Sequence, residues 1–171
     1  MTPVFFSCHA LSDSRMSSIR YRTTDITEID RIRPLWAQLN GYMHTKAKTF
    51  KSHYEQMTFA RRKAYFEKLA ASGSLRLDLA FDLENGGKDV GYCVSSLSPE
   101  KSGEIESIFV EETYRSRGIG SALMKTALAW FGEHGSVQNR VSVSDGNEGA
   151  WEFYRKFGFY PRMTVLEQKK D

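Results

Sequence analysis

The stretch YRSRGIGSALMKTALAWF, residues 114 to 131, puts two arginines and two glycines between Arg115 and Gly120, directly ahead of an apolar run. Ile119, Ala122, Leu123, Ala127 and Trp130 recur at spacings of three and four, so the run reads as a core-facing helix that Gly132 or Gly135 stops. Each glycine in an early turn costs such a helix about 1 kcal/mol against alanine. The chemistry of a helix start offers a reason for that cost. Its first turn has four unbonded amide N–H groups and a partial positive charge. Glycine at 118 and 120 leaves room for an anion to reach those amides, and Arg115 and Arg117 add full positive charge. Arg115, Ser116, Arg117, Gly118, Ile119, Gly120 and Ser121 therefore read as a phosphate cradle. A plain loop with surface arginines fits R-x-x-G-x-G taken alone. The segment is neither a Walker A loop nor G-x-G-x-x-G.

Working outward, SGEIESIFVEE reads as a strand before the cradle, starting near Glu104, and NRVSVSD as a strand after its helix. Glu148 to Phe157 carries Ala150, Phe153, Tyr154 and Phe157 at helical spacing, and GFYPRMTVLEQ reads as a closing strand. Upstream, IRYRTT is a first strand, and Ile26 to about Leu39 is an amphipathic helix. Gly41 to Thr58 reads as a connection or broken helix, and Phe59 to Ala71 as a second helix. The alternating segment around Gly86 and Gly87 is a hairpin. The order β, α, α, β, β, β, α, β, α, β implies an α/β (α+β) domain with a mixed sheet and helices on both faces.

Bulk properties bound the function. A chain of 171 residues fits one domain, and a net charge of +3 spread along the chain does not suggest a surface that coats nucleic acid. Cys8 and Cys93 lie in no metal or disulfide pattern, and the four histidines have no ligand spacing, so no metal site is expected. The thiols suggest a reducing compartment. No apolar run approaches the roughly 20 residues needed to span a membrane. Residues 1 to 17 read as an N-terminal appendage to a domain over 18 to 171. They do not resemble a signal peptide, and Met16 is an alternative start.

Two motifs in order give the most specific reading. Arg115, Gly118 and Gly120 match [Q/R]-x-x-G-x-[G/A]. About 30 residues on, Asn147, Ala150, Phe153, Tyr154, Gly158 and Phe159 match N-x-x-A-x-x-F-Y-x-x-x-G-F. The chain thereby resembles the GCN5-related N-acetyltransferase (GNAT) superfamily, with its acyl-CoA N-acyltransferase fold and mostly antiparallel sheet. Glu112 stands where the family often has proline, a departure that affects a turn rather than the cradle.

The resemblance implies acetyl-CoA as cosubstrate. Its pyrophosphate would lie on residues 115 to 121 and its pantetheine arm along Ile108, Phe109 and Val110, where the sheet splays. Tyr154 matches the family's usual general acid and would also contact the cofactor, although its place beside Phe153 and Phe157 also suits a core residue. Glu104 sits where histone-type members have a glutamate base. Glu106 is the alternative, on the same side of the strand by its period of two, and a solvated strand face fits both. Asn147 would bind the cofactor arm, cap the following helix, or do both. The acceptor pocket would be built by the first two helices and their connection, with Tyr42, His44, His53 and Tyr54. A small-molecule amine is the expected acceptor, with protein or aminoacyl-tRNA acceptors also open. A homodimer is expected from the resemblance, and a cytoplasmic location in keeping with the free thiols. A non-catalytic CoA-binding sensor and, less directly, a nucleotide-phosphate binder are the other readings.

Overall fold

Strands β2 (Ser74–Asp82) and β3 (Lys88–Leu97) form the hairpin expected from the paired glycines. Gly86 and Gly87 both take left-handed backbone angles, φ 63° and 74°, which a side chain would resist. On the outer edge, β1 (Ile19–Thr24) pairs antiparallel with β2. On the inner edge, β4 (Ser102–Val110) pairs antiparallel with β3, and β5 (Gln138–Val141) lies parallel to β4. The strand order is β1-β2-β3-β4-β5. This computed structural model describes residues 18–169, so the proposed appendage, Cys8 and the alternative start at Met16 lie outside the described residues.

Helices cover both faces. The Asp25 side chain accepts the Thr27 amide and opens a 3-10 turn, Ile26–Ile32, which runs into α1 (Arg33–Lys46). The expected helix from Ile26 to Leu39 thus begins as a 3-10 turn and extends to Lys46. Pro34 lies in the first α-helical turn, where its missing N–H costs nothing, and buried Met43 holds the last turn down. The expected connection contains a short helix, α2 (Lys51–Gln56). Thr58 caps α3 (Phe59–Ser72) by accepting the Arg61 amide. Ile29, Ile32, Trp36, Phe59 and Phe66 pack on Leu77, Leu79, Tyr92, Val94 and Phe109. On the opposite face α4 (Ile119–Glu133) lays Ile119, Leu123, Met124, Ala127, Trp130 and Phe131 on Ala80, Val90, Cys93, Leu97 and Ile105.

Two irregularities shape the centre of the sheet. Val94 faces Ser107 whereas Ser95 faces Ile105, so Glu106 is an extra residue in β4, a β-bulge. The β4–β5 pairing runs only from Ser102↔Gln138 to Ile105↔Val141. Past Ile105 the two strands part.

The C-terminal part differs most from expectation. The helix over Glu148 to Phe157 is a 3-10 turn, Glu148–Ala150, followed by α5 (Trp151–Arg155). The closing strand is not formed: among the described residues, those after Phe159 belong to no strand. Tyr160, Met163, Val165 and Leu166 are 72% to 92% exposed. A strand needs a partner edge, whereas β5 is only four residues long and Pro161 lacks an amide donor.

Phe66 is fully buried between α3 and the sheet. Phe66→Ala is expected to cost about 3–5 kcal/mol in urea denaturation. A loss within the error of the measurement would contradict this packing.

Candidate active site

The parting of β4 and β5 opens a cleft of about 230 Å³ in the middle of the sheet. Ile108 from β4, Val141 and Ser142 from the end of β5, Asn147, and Tyr154 from α5 line it on one side. Trp36, Met43, His53 and Tyr54 from α1 and α2 line the other. Of the acceptor-side residues expected from sequence, His53 and Tyr54 reach the cleft. His44 instead meets Glu55 at 3.0 Å, and Tyr42 lies under Arg115.

At the α4 end the chain turns through two left-handed residues, Ser116 (φ 61°) and Gly118 (φ 78°), before the helix begins. Such turns aim successive amides toward one point. Ala122 is the first amide of α4 to find a main-chain carbonyl outside the helix, that of Gly118. Among the described residues, the amides of Ser116 to Ser121 have no hydrogen-bond partner. A Cβ on Gly118 would meet nothing within 4 Å, so glycine is needed there for its φ and the space in front of it is open. Gly120 differs: a Cβ there would make ordinary contact with the Phe153 ring at 3.5 Å. An alanine would fit there, so the structure gives Gly120 no steric need for glycine.

The two arginines flank this turn. The Arg115 Nε donates to the Val110 carbonyl at 3.1 Å, and its guanidinium lies 5.4 Å from the Phe109 ring. Arg117 donates to the Thr113 carbonyl and stacks on Tyr114. Among the described residues neither pairs with a carboxylate. Ile119 is buried, so only its backbone faces the turn, while Ser121 is half-buried in the first turn of α4. In β4, Phe109 points into the α1–α3 core, and Ile108 and Val110 pack toward α4. Beyond Ile105, the β4 edge that faces β5 carries no strand pairing.

Tyr154 is held by its neighbours Phe153 and Phe159, and its hydroxyl has no partner among the described residues. Burial pushes its phenol up to about 12, so it stays protonated at neutral pH. The Asn147 side chain makes no capping bond and lines the same cleft.

The two glutamates separate. Glu104 accepts from Ser142 Oγ at 3.1 Å and lines an open groove of about 610 Å³ with Glu100, Tyr65 and Arg140, outside the cleft. Glu106 lines both the groove and the cleft. Burial raises its pKa above the usual carboxylate range, opposed by a hydrogen bond from Ser96 and assisted by the charge of Glu104. Ser96, Tyr65 and Arg62 around Glu106 were missed in the sequence. The only hint was the i, i+3 spacing of Arg62 and Tyr65 on α3. Among the described residues no group of three His, Cys, Asp or Glu side chains is placed to hold a metal.

Residues 42–159 match the family model described as Acetyltransferase (GNAT) family. The chain belongs to this family. Its curated relatives include an uncharacterized N-acetyltransferase of Methanocaldococcus jannaschii, 32% identical over 121 residues, or 67% of this chain and 51% of the relative. The GNAT chain thus spans about half the length of that relative. Among solved structures, a putative acetyl transferase from Pyrococcus furiosus superposes with a TM-score of 0.66 at 24% identity, covering 88% of this chain and 100% of the other. The aminoglycoside N-acetyltransferase AAC(6')-Iy, solved in complex with CoA, gives 0.64 at 18% identity, covering 89% and 94%. At these identities the two structures show a shared fold.

The raised pKa of Glu106 carries a stability consequence. A carboxyl favoured as the neutral acid in the fold stabilises it below pH 4.5, its ordinary value, and that contribution is lost as pH rises through the folded midpoint. Glu106→Gln is therefore expected to gain stability relative to wild type between about pH 4 and pH 7. Paired urea denaturations check this, and a constant difference would contradict the assigned environment.

Proposed function

We propose that the protein is an N-acetyltransferase that moves the acetyl group of acetyl-CoA directly to a primary amine of a small molecule. The observation that carries the reading is the Tyr154 hydroxyl, protonated and unpartnered among the described residues, in the cleft where β4 parts from β5. The free amides of Ser116 to Ser121 support a diphosphate site at the α4 end, with Arg115 and Arg117 as flanking charge. The unpaired edge at Ile108, Phe109 and Val110 supports a pantetheine arm bonded to the backbone, with Asn147 as a further polar contact.

In this reading the acceptor enters as an ammonium and gives one proton to Glu106, which frees the lone pair. The amine attacks the thioester carbonyl, forming the C–N bond. Collapse breaks the C–S bond, and the departing thiolate takes the Tyr154 proton. The second amine proton, lost as the amide forms, restores Tyr154. The net products are the amide, CoA thiol and one proton, which leaves Glu106 for solvent. Glu106 is favoured over Glu104 as base because it alone of the two reaches the cleft.

The groove next to Glu106, with Glu100 and Glu104 in its wall, favours an acceptor that carries positive charge. Its volume of about 610 Å³ suits a small molecule rather than a protein chain or aminoacyl-tRNA. The structural likeness to an aminoglycoside N-acetyltransferase supports the same class. A homodimer is carried over from the family resemblance, and a cytoplasmic location from the free thiols.

The test is thiol release from acetyl-CoA with a panel of primary amines. Wild type should turn over at least one small cationic amine. Tyr154→Phe should lower kcat by about 10²-fold or more with unchanged affinity for CoA. CoA binding without turnover of any amine would make the protein a sensor instead.

A further inference from the structure

Glu106 owes its direction to contacts outside its own strand. In a regular strand Glu106 and Ser107 point to opposite faces. Here the bulge turns both toward the α1–α3 side: Ser107 Oγ meets Tyr92 Oη at 2.8 Å in that core, and Glu106 meets Tyr65 of α3. The carbonyl of the extra residue is taken by the Arg62 guanidinium, which lies over the rings of Phe66 (4.5 Å) and Tyr65 (5.0 Å). One helical turn of α3 therefore holds both the backbone and the side chain of Glu106.

The carboxylate is fixed at both oxygens. Ser96 Oγ donates to Oε1 at 2.6 Å from β3, and Tyr65 Oη donates to Oε2 at 3.2 Å from α3. A side chain held from two elements has lost its rotamer freedom before an acceptor arrives, and preorganisation of this kind is what a base needs. We propose that Tyr65 and Ser96 are positioning residues that hold the Glu106 carboxylate at the junction of groove and cleft for removal of the acceptor's proton. The proposal rests on the reading of Glu106 as base.

The sign of the pH effect follows from the two donors. Both hydrogen bonds favour the charged carboxylate, so loss of either leaves burial less opposed and moves the titration upward. The other charged and titratable groups around Glu106 are Arg62 from α3, Glu104 on its own strand, Glu100 before β4 and Arg140 from β5. Across the cleft stand His53 and Tyr54 from α2 and Tyr154 from α5. Neither variant removes a charge from this set.

A purely structural role is a poor explanation for Tyr65, which is 41% exposed and whose ring Phe would keep. The pH dependence of kcat/KM is measured for wild type, Tyr65→Phe, Ser96→Ala and Ser96→Thr. The acidic limb should move up by about one pH unit in Tyr65→Phe and Ser96→Ala, with kcat reduced several-fold, KM for acetyl-CoA unchanged, and rescue by Ser96→Thr. An unmoved limb in both variants overturns the proposal, even if their melting temperatures fall. Should wild type acetylate no amine, the enzymatic reading fails separately. The catalytic part of the proposal then falls with it, and the ¹³C titration of the Glu106 carboxyl tells the two failures apart: an upward shift in Tyr65→Phe and Ser96→Ala leaves the carboxylate held as described in a protein that is no acetyltransferase, whereas coincident curves overturn the positioning itself.

Discussion

Strand β4 is paired along its length on one side and for only four residues on the other. That one-sided pairing is the constraint on which the rest depends. A sheet interior normally leaves no room between neighbours about 4.8 Å apart. Here separation past Ile105 exposes backbone at the centre of the fold: Arg62 takes the Glu106 carbonyl and Arg115 that of Val110, and the groups between them are open to water or a ligand. Long α4 on one face and α1 with α3 on the other keep the opening from collapsing, because each buries its own apolar stripe on strands that do not part.

The loops over the opening are drawn together by contacts remote in sequence. Lys48, just past α1, pairs with Glu148 at 3.0 Å and lies 3.6 Å from Asp145. Gly146 between those carboxylates sits so close to the end of α1 that a Cβ would fall 2.1 Å from the Lys46 carbonyl. Its φ of 90° is likewise a glycine angle. The side of the cleft bearing Asn147 and Tyr154 is thus joined to the side bearing Met43 and Tyr54 by a backbone approach that only glycine permits.

Much of this was legible because its causes are local. The Gly118 turn, the α4 stripe and the helical spacing of Phe153, Tyr154 and Phe157 are written in consecutive residues, and the family motifs lie in those segments. What was not legible depends on pairing between distant segments. The bulge at Glu106 shows only in the register between β3 and β4. Without it, Glu104 and Glu106 looked equivalent by the period of two, whereas only Glu106 reaches the cleft. The partners Tyr65 and Ser96 come from elements joined only in the fold. The expected closing strand failed for a related reason: the residues of GFYPRMTVLEQ supply no partner edge.

The central claim is that main-chain amides at the start of α4 grip the diphosphate of the acyl carrier. Titration of ¹⁵N-labelled protein with coenzyme A tests this most directly. The amide signals of Arg117 to Ser121 should move first and furthest, together with those of Ile108 to Val110. If coenzyme A binds while the amides of Arg117 to Ser121 stay still and the large shifts fall elsewhere, the account is wrong.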